Sequence, residues 1–484
     1  MAELIWRLRA VSRPLPGGRH GDLWWVLVVG GAIAVVLAWA LTLSLQAACA
    51  FVVVVTVIAL HQYNRQWGIA AVFAVWFLAP GLRRVLGLAT GYVDNDPLSL
   101  APFLATGAVA ALELVRVYVP TRIRGILLLA AGGIAIGLPL GLVEGPRSAV
   151  YAFAAYLAGI SSAVLGVGER GSLHDSTLRR VLLFGMPPIA AYAILQHVLS
   201  LPSWDQAWLD ATDFSSIGIE GGADVRVFAT LNSPGTLAPL LGLSLLCYLS
   251  IHRARTITFA GATLVAVALS LTFARSAWVA LIVAGLAHVI ASNGRSARLV
   301  LGSGAVIVVA TLALAPVSST AHDVLDRFQS ITDFRGDTSS NERRATLSGT
   351  LPIAVQAPLG HGLGTAGEAS KLTGDSFLRT PDNGYLALIY QVGPVGFLLV
   401  MGAIAVIFRA AWQGARARAP GQELRVLLFA MFVYLLVLLT SGDAFYGVTG
   451  VIFWFIAGQV LAYHFRRRAE GALSTGRASR IASR

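Results

Sequence analysis

The sequence predicts an all-α polytopic integral membrane protein with about fourteen transmembrane helices and a large extracytoplasmic loop carrying short helices. Composition is the first observation behind this. Of 484 residues, 56% are hydrophobic and 12% are charged, about half the charged share of an ordinary soluble domain. Patterning is the second: apolar runs such as Leu23 to Ala40, Ile126 to Val143 and Val426 to Leu439 continue where a soluble helix would show a polar stripe. The third is the placement of the cations, which cluster between the runs.

Residues 1–21, with Arg7, Arg9, Arg13 and Arg19, read as a basic N-terminus before an uncleaved anchor, because the first run is long enough to span and a second follows at once. Spans are expected near 22–40, 43–60, 68–82, 97–115, 125–143, 147–167, 180–199, 233–251, 256–273, 275–291 and 298–315. Three more follow near 383–408, 424–440 and 446–464. The chain thus divides into helices 1 to 11 with an outer loop over 22–315, and helices 12 to 14 over 383–464. Pro80 and Arg83/Arg84 cut the third span short. Threaded alternately, the spans put Arg116/Arg122/Arg124, Arg170/Arg179/Arg180, Arg253/Arg255, Arg295/Arg298, Arg409/Arg416/Arg418/Arg425 and Arg466/Arg467/Arg468 on one side. The positive-inside rule makes that side the cytoplasm, with both termini in it. The tail, 465–484, is basic and rich in small residues, so it is expected to be disordered against anionic lipid.

Two outward segments are too long for turns. One, 201–232, carries Asp205, Asp210, Asp213, Glu220, Asp224 and Arg226; the other is the large loop, 316–382. Within it, Ser339 followed by Glu342 is a capping-box pattern, predicting a helix through Arg343 and Arg344 that Pro352 ends or kinks.

Several function classes are excluded. The net charge of +12 is scattered between apolar runs without interleaved aromatics, which argues against nucleic acid as a partner. Cys49 and Cys247 both sit inside apolar runs, the place of packing residues. The histidines, including His197, His322 and His361, lack metal-ligand spacing, so no metal and no cofactor is indicated. Gly362-Leu363-Gly364-Thr365-Ala366-Gly367 has the dinucleotide spacing but no preceding strand; its glycines suit close backbone approach or a hinge instead.

Arg275 is the most informative residue, since an arginine inside Leu271-Thr272-Phe273-Ala274-Arg275-Ser276-Ala277-Trp278 is costly unless paired or facing a polar cavity. It either snorkels at the outer end of a helix hairpin or binds an anion there, as a guanidinium can hold two phosphate oxygens. Arg226 enters the same picture just before a span. It could pair with Asp224, or join Arg275 in holding a diphosphate beside the helix start Asn232-Ser233-Pro234, whose free N–H groups favour an anion. Asp382 heads Pro381-Asp382-Asn383-Gly384-Tyr385-Leu386, where the large loop enters the next span. A partly desolvated carboxylate there is poised as a general base, and it can equally cap the following helix.

These residues resemble the O-antigen ligase and Wzy-type polymerase superfamily of bacterial surface-polysaccharide enzymes. The resemblance rests on Phe273 to Trp278, Arg226 to Thr236, Ser340-Asn341-Glu342-Arg343-Arg344, Pro358 to Gly364, Asp382 to Leu386 and Val392-Gly393-Pro394-Val395-Gly396, in that family's loop-and-span setting across the C-terminal half. It implies a metal-independent inverting glycosyltransferase in the bacterial cytoplasmic (inner) membrane. Such an enzyme moves a glycan from undecaprenyl diphosphate to an acceptor hydroxyl, on a glycan or a lipid, at the outer face. It further implies Arg226 and Arg275 on the diphosphate, Asp382 as base, and Arg343, Arg344, Asn232, Asn383 and Tyr385 around the substrate. A chain-length regulator or a flippase would be its protein partner. In the ligase branch a histidine commonly precedes the Asn of His-Asn-x-Tyr-Leu; Asp382 stands there, which tilts the reading toward polymerase. The rival reading is a multispan flippase or transporter, against which stands the gathering of polar candidates at span ends rather than at the midplane.

Overall fold

The computed structural model describes residues 44–92, 96–169, 176–199, 201–212, 217, 226–251, 256–292, 338–372 and 383–482. Every regular element among them is helical. In chain order they are α1 (Leu45–Tyr63), α2 (Arg65–Thr90), a 3-10 turn (Pro97–Leu100), α3 (Ala101–Arg116), α4 (Thr121–Ala135), α5 (Leu138–Glu144), α6 (Pro146–Gly168) and α7 (Thr177–Val198). Then come α8 (Ser203–Asp210), α9 (Pro234–Leu249), α10 (Thr256–Leu271), α11 (Arg275–Ala291), α12 (Thr338–Gln356), a second 3-10 turn (Glu368–Leu372), α13 (Gly384–Arg416), α14 (Gln422–Leu438) and α15 (Gly447–Ala482).

Eight helical stretches among the described residues are long and apolar enough to cross a membrane: 45–63, 65–90, 97–116, 121–144, 146–168, 177–198, 384–416 and 447–466. The apolar helices α9, α10 and α11 are shorter. This is a polytopic membrane architecture, and the expected spans at 22–40 and 298–315 fall outside the described residues.

Four local expectations are corrected. Pro80 does not end its helix: α2 runs through it to Thr90, because Arg83 and Arg84 find carboxylates and bury against the bundle. The expected span at 125–143 is broken into α4 and α5 at Ile136-Gly137, ahead of Pro139. The helix expected through Arg343 and Arg344 is present as α12, but it does not end at Pro352 and runs on to Gln356. Past Arg466 the tail continues α15 to Ala482 instead of losing structure, its Ala and Arg residues favouring helix.

Membrane helices associate without a hydrophobic drive between them, so close packing decides. The most extensive contact is α6 against α15. A Cβ on Gly166 would lie 2.1 Å from the Phe455 carbonyl oxygen, and one on Gly458 2.0 Å from that of Ala163, so both positions admit only glycine. The Ser162 hydroxyl adds a 2.7 Å bond to the Val451 carbonyl. Helix α13 breaks at Gly393, with φ +67, just before Pro394. At one end of the bundle, called here the loop end, gather the starts of α3, α6, α9, α11, α13 and α15, with α8 and residues 357–372.

Candidate functional site

The site is built where the segment 226–232 runs along the turn between α10 and α11. The Val227 N–H donates to the Leu271 carbonyl at 3.3 Å, and Arg226 Nε donates to the Thr272 carbonyl at 2.9 Å. Arg226 is thereby fixed three residues from Arg275, the first residue of α11. Both arginines are half-buried. The two predicted diphosphate ligands therefore share one backbone junction, although 49 residues separate them.

This junction is strained. Ala229 (φ +50) and Phe273 (φ +51) are the non-glycine residues with positive φ among those described, and they lie on its two sides. Such conformations persist only where the surroundings over-determine them. The surroundings here are a buried polar network. Arg84 of α2 donates to the Ala229 carbonyl and pairs with Asp205 of α8 at 3.1 Å. Its guanidinium also lies 4.9 Å from the Phe228 ring centre and 5.2 Å from that of Trp208. Gln196 of α7 donates to Asp205 at 2.6 Å, while its side-chain oxygen accepts the Ala229 N–H at 2.7 Å. Tyr192 donates to the same carboxylate, and Thr230 bonds the Phe77 carbonyl at 2.7 Å.

The segment then enters α9 as expected: Ser233 caps it, accepting the Thr236 N–H at 3.1 Å, and Pro234 takes the first position. Asn232 carries a buried side-chain oxygen with no partner among the described residues. An acceptor left open beside a helix start suits a donor group of a ligand. Helix α11 follows Ala274 without a side-chain cap, and its first N–H groups bond locally, Arg275 N–H to the Phe273 carbonyl at 3.2 Å and Ala277 N–H to that of Ala274 at 3.0 Å.

Also at the loop end lies the glycine-rich segment after α12. Its glycines do allow close backbone approach: Gly360, Gly362, Gly364 and Gly367 all have positive φ, and a Cβ on Gly362 would lie 2.6 Å from the Gly141 nitrogen. His361 N–H bonds the Tyr390 carbonyl (2.9 Å), Leu363 N–H that of Gly137 (2.7 Å), and Gly364 N–H the Gln391 side chain (2.8 Å). The segment is thus stitched into the breaks of α4/α5 and α13.

The remaining predicted residues take varied places. Asn383 caps α13, accepting the Tyr385 and Leu386 N–H groups at 3.0 and 3.1 Å. The Tyr385 hydroxyl donates to the Leu436 carbonyl at 2.9 Å, tying α13 to α14. Arg344 is exposed on α12; Arg343 lies on the same helix with its side chain outside the description. Asp382 and Asp224 fall outside the described residues. Sequence reasoning missed Arg84, Gln196 and Tyr192 as supports of Ala229, and it missed Asp443. This carboxyl, between α14 and α15, accepts the Tyr156 hydroxyl at 3.0 Å and the Phe445 N–H at 2.9 Å. Burial pushes it up to about 6.

Residues 260–401 match the model of a family described as O-antigen ligase. The match covers 142 of the 484 residues, and over that segment the chain is similar to the O-antigen ligase family. The matched segment runs from α10 into α13 and includes Arg275, Arg344, Asn383 and Tyr385. No curated protein matches the chain. That likeness suggests a membrane enzyme of polymerase or ligase type, in keeping with the apolar helices.

Proposed function

We propose that this protein belongs to the O-antigen ligase family and transfers a glycan from undecaprenyl diphosphate to an acceptor hydroxyl at the outer face of the cytoplasmic membrane, as a polysaccharide polymerase or ligase. The observation that carries the reading is the junction of Arg226 with the residues leading into Arg275, held by a buried network in a strained backbone. Two guanidiniums there would neutralise charge growing on the diphosphate as the sugar leaves, the task a metal ion performs in many nucleotide-sugar enzymes. The start of α11 adds the positive end of its helix dipole.

Asp382, next to Asn383 in the sequence, is the base of this proposal. It takes the proton of the acceptor hydroxyl while that oxygen bonds the anomeric carbon. The bond from carbon to diphosphate oxygen breaks with its electron pair left on the phosphate, and the configuration inverts. Arg343 and Arg344 would reach the diphosphate from α12, Asn232 would offer its open oxygen to the glycan, and Asn383 and Tyr385 would shape the entrance to α13. The large loop, closing over the site, excludes the water that would otherwise consume the donor.

The loop end is the outer face in this reading, with both termini inside. The test is glycan transfer by full-length protein in lipid nanodiscs, given lipid-linked glycan extracted from the host membranes. Arg275→Ala should lower the rate about 10²–10³-fold, with Arg275→Lys recovering only part, since one charge returns but the two-pronged geometry does not. Intact rates in both variants would sink the diphosphate role.

A further inference from the structure

We propose that the cluster of Asp443, Tyr156, Tyr446 and Glu368 is the subsite for the acceptor sugar, with the Asp443 carboxylate accepting a hydrogen bond from an acceptor hydroxyl. The proposal rests on the glycan-transfer reading of the same end of the bundle.

Position is the first argument. Gly384 at the start of α13 donates its N–H to the Leu439 carbonyl at 2.7 Å, and a Cβ there would lie 2.6 Å from the Gly442 oxygen and 3.1 Å from the Asp443 Cα. Asp443 therefore stands against the helix start whose preceding sequence supplies the base. The second argument is unused capacity. A carboxylate offers about four lone-pair directions; the Tyr156 hydroxyl and the Phe445 and Tyr446 N–H groups take three, leaving about one for an acceptor hydroxyl. Asp443 is only half-buried, and among the described residues a Cβ on the adjacent Gly442 would meet nothing within 4 Å.

The third argument is chemistry. The Tyr446 ring lies 5.9 Å from that of Tyr156 and 6.2 Å from that of Tyr151, and the Tyr156 hydroxyl also receives Gln391 at 3.4 Å. Aromatic faces take the C–H faces of a pyranose, and carboxylates and phenols take its hydroxyls. Exposed Glu368 is close enough to act electrostatically on Asp443. Two carboxylates repel a diphosphate but suit a neutral polyol, so donor and acceptor are sorted by charge: anion at Arg226 and Arg275, uncharged sugar here.

Tyr156 faces Asp443 from α6, Glu368 from the second 3-10 turn and Tyr446 from its own loop, while α13 contributes the neutral Gln391 through Tyr156. The hydrogen bond needs the ionised form, so acceptor binding should weaken as pH falls through about 6.

The experiment measures transfer and donor hydrolysis together, in nanodiscs, with the extracted lipid-linked glycan as donor and the free repeat released from it by mild acid as acceptor. Asp443→Asn should raise the acceptor KM about tenfold or more, the loss of a hydrogen bond to a charged group. Hydrolysis by water and kcat at saturating acceptor should stay within about twofold. Glu368→Gln, at an exposed position, should move the midpoint of the KM–pH curve to lower pH, because a like charge that raises Asp443 is removed. An unchanged acceptor KM in Asp443→Asn, hydrolysis falling in step with transfer, or an unmoved midpoint in Glu368→Gln would overturn the subsite. Arg275→Ala run alongside tells the two readings apart: if it keeps both transfer and hydrolysis, the diphosphate reading is what fails.

Discussion

The two ends of the bundle bury charge in different ways. Opposite the loop end, Glu113 of α3 is fully buried, pairing with His61 at 3.0 Å and accepting from Arg65. Glu169, just after α6, accepts the Thr177 N–H, the Ser176 hydroxyl and Gln459, and Arg425 donates to the Gly414 carbonyl at the end of α13 and to three carbonyls of the α13–α14 connection. These groups staple helix to helix, and no non-glycine residue described there has positive φ. At the loop end the buried pair Arg84–Asp205 instead grips a carbonyl of a strained segment, and that segment carries Arg226 to the turn before Arg275. Buried charge alone is therefore a fastening; buried charge that holds a strained backbone beside further arginines is the arrangement on which the proposed diphosphate site rests.

That contrast can be broken most directly by one substitution at each end. Glu113→Ala leaves His61 and Arg65 without their carboxylate and should cost about 3–5 kcal/mol of stability, the usual penalty for orphaning a buried charge. Thermal unfolding in detergent should show the loss, while the protein that stays folded keeps its turnover. Arg275→Ala should do the reverse, losing transfer with little change in unfolding temperature. If both variants lost turnover and stability together, the two ends would be one cooperative structure and the division would be wrong.

Arg84→Met tests the link between the two behaviours. It removes the partner of Asp205 and the donor to Ala229, so a stability loss of about 3–5 kcal/mol is expected. Adding Asp205→Asn should recover part of it, since the second charge no longer needs a partner. Transfer should stay depressed in the double variant, because the Ala229 carbonyl is still released. Recovery of stability and rate together would mean that Arg84 acts on Asp205 alone.

The sequence showed the site's charges more clearly than their supports. Arg275 was legible because a guanidinium inside an apolar run is physically costly, and Ser233-Pro234 because helix starts have local chemistry. Arg84 was not, because its partner Asp205 lies 121 positions on, and without that partner the pair Arg83/Arg84 looks like the end of a span. For the same reason the reach of α2 past Pro80 was underestimated. Asp443 sits in Ser441-Gly442-Asp443, a sequence typical of any turn, and only the packing of α6 against its loop gives it Tyr156. The glycine spacing at 362–367 was read correctly as a matter of backbone approach, yet nothing local could name Gly137, Gly141 and Gln391 as the surfaces approached.

The finest test concerns the strain itself. Ala229 holds φ +50 with its N–H on Gln196 and its carbonyl on Arg84, a conformation that glycine adopts without penalty. Ala229→Gly should therefore relieve the strain, and a gain approaching about 1 kcal/mol is expected, less the extra freedom glycine gives the unfolded chain. Relief has a consequence for rate. If the strained backbone serves only to pass the chain through a tight space, transfer should be unchanged. If it fixes Arg226 against Thr272, the looser segment should let the guanidinium wander and lower kcat several-fold while the unfolding temperature rises. Opposite movements of stability and rate in one variant would mark the strain as part of how the loop end works, an outcome that no substitution at the opposite end should reproduce.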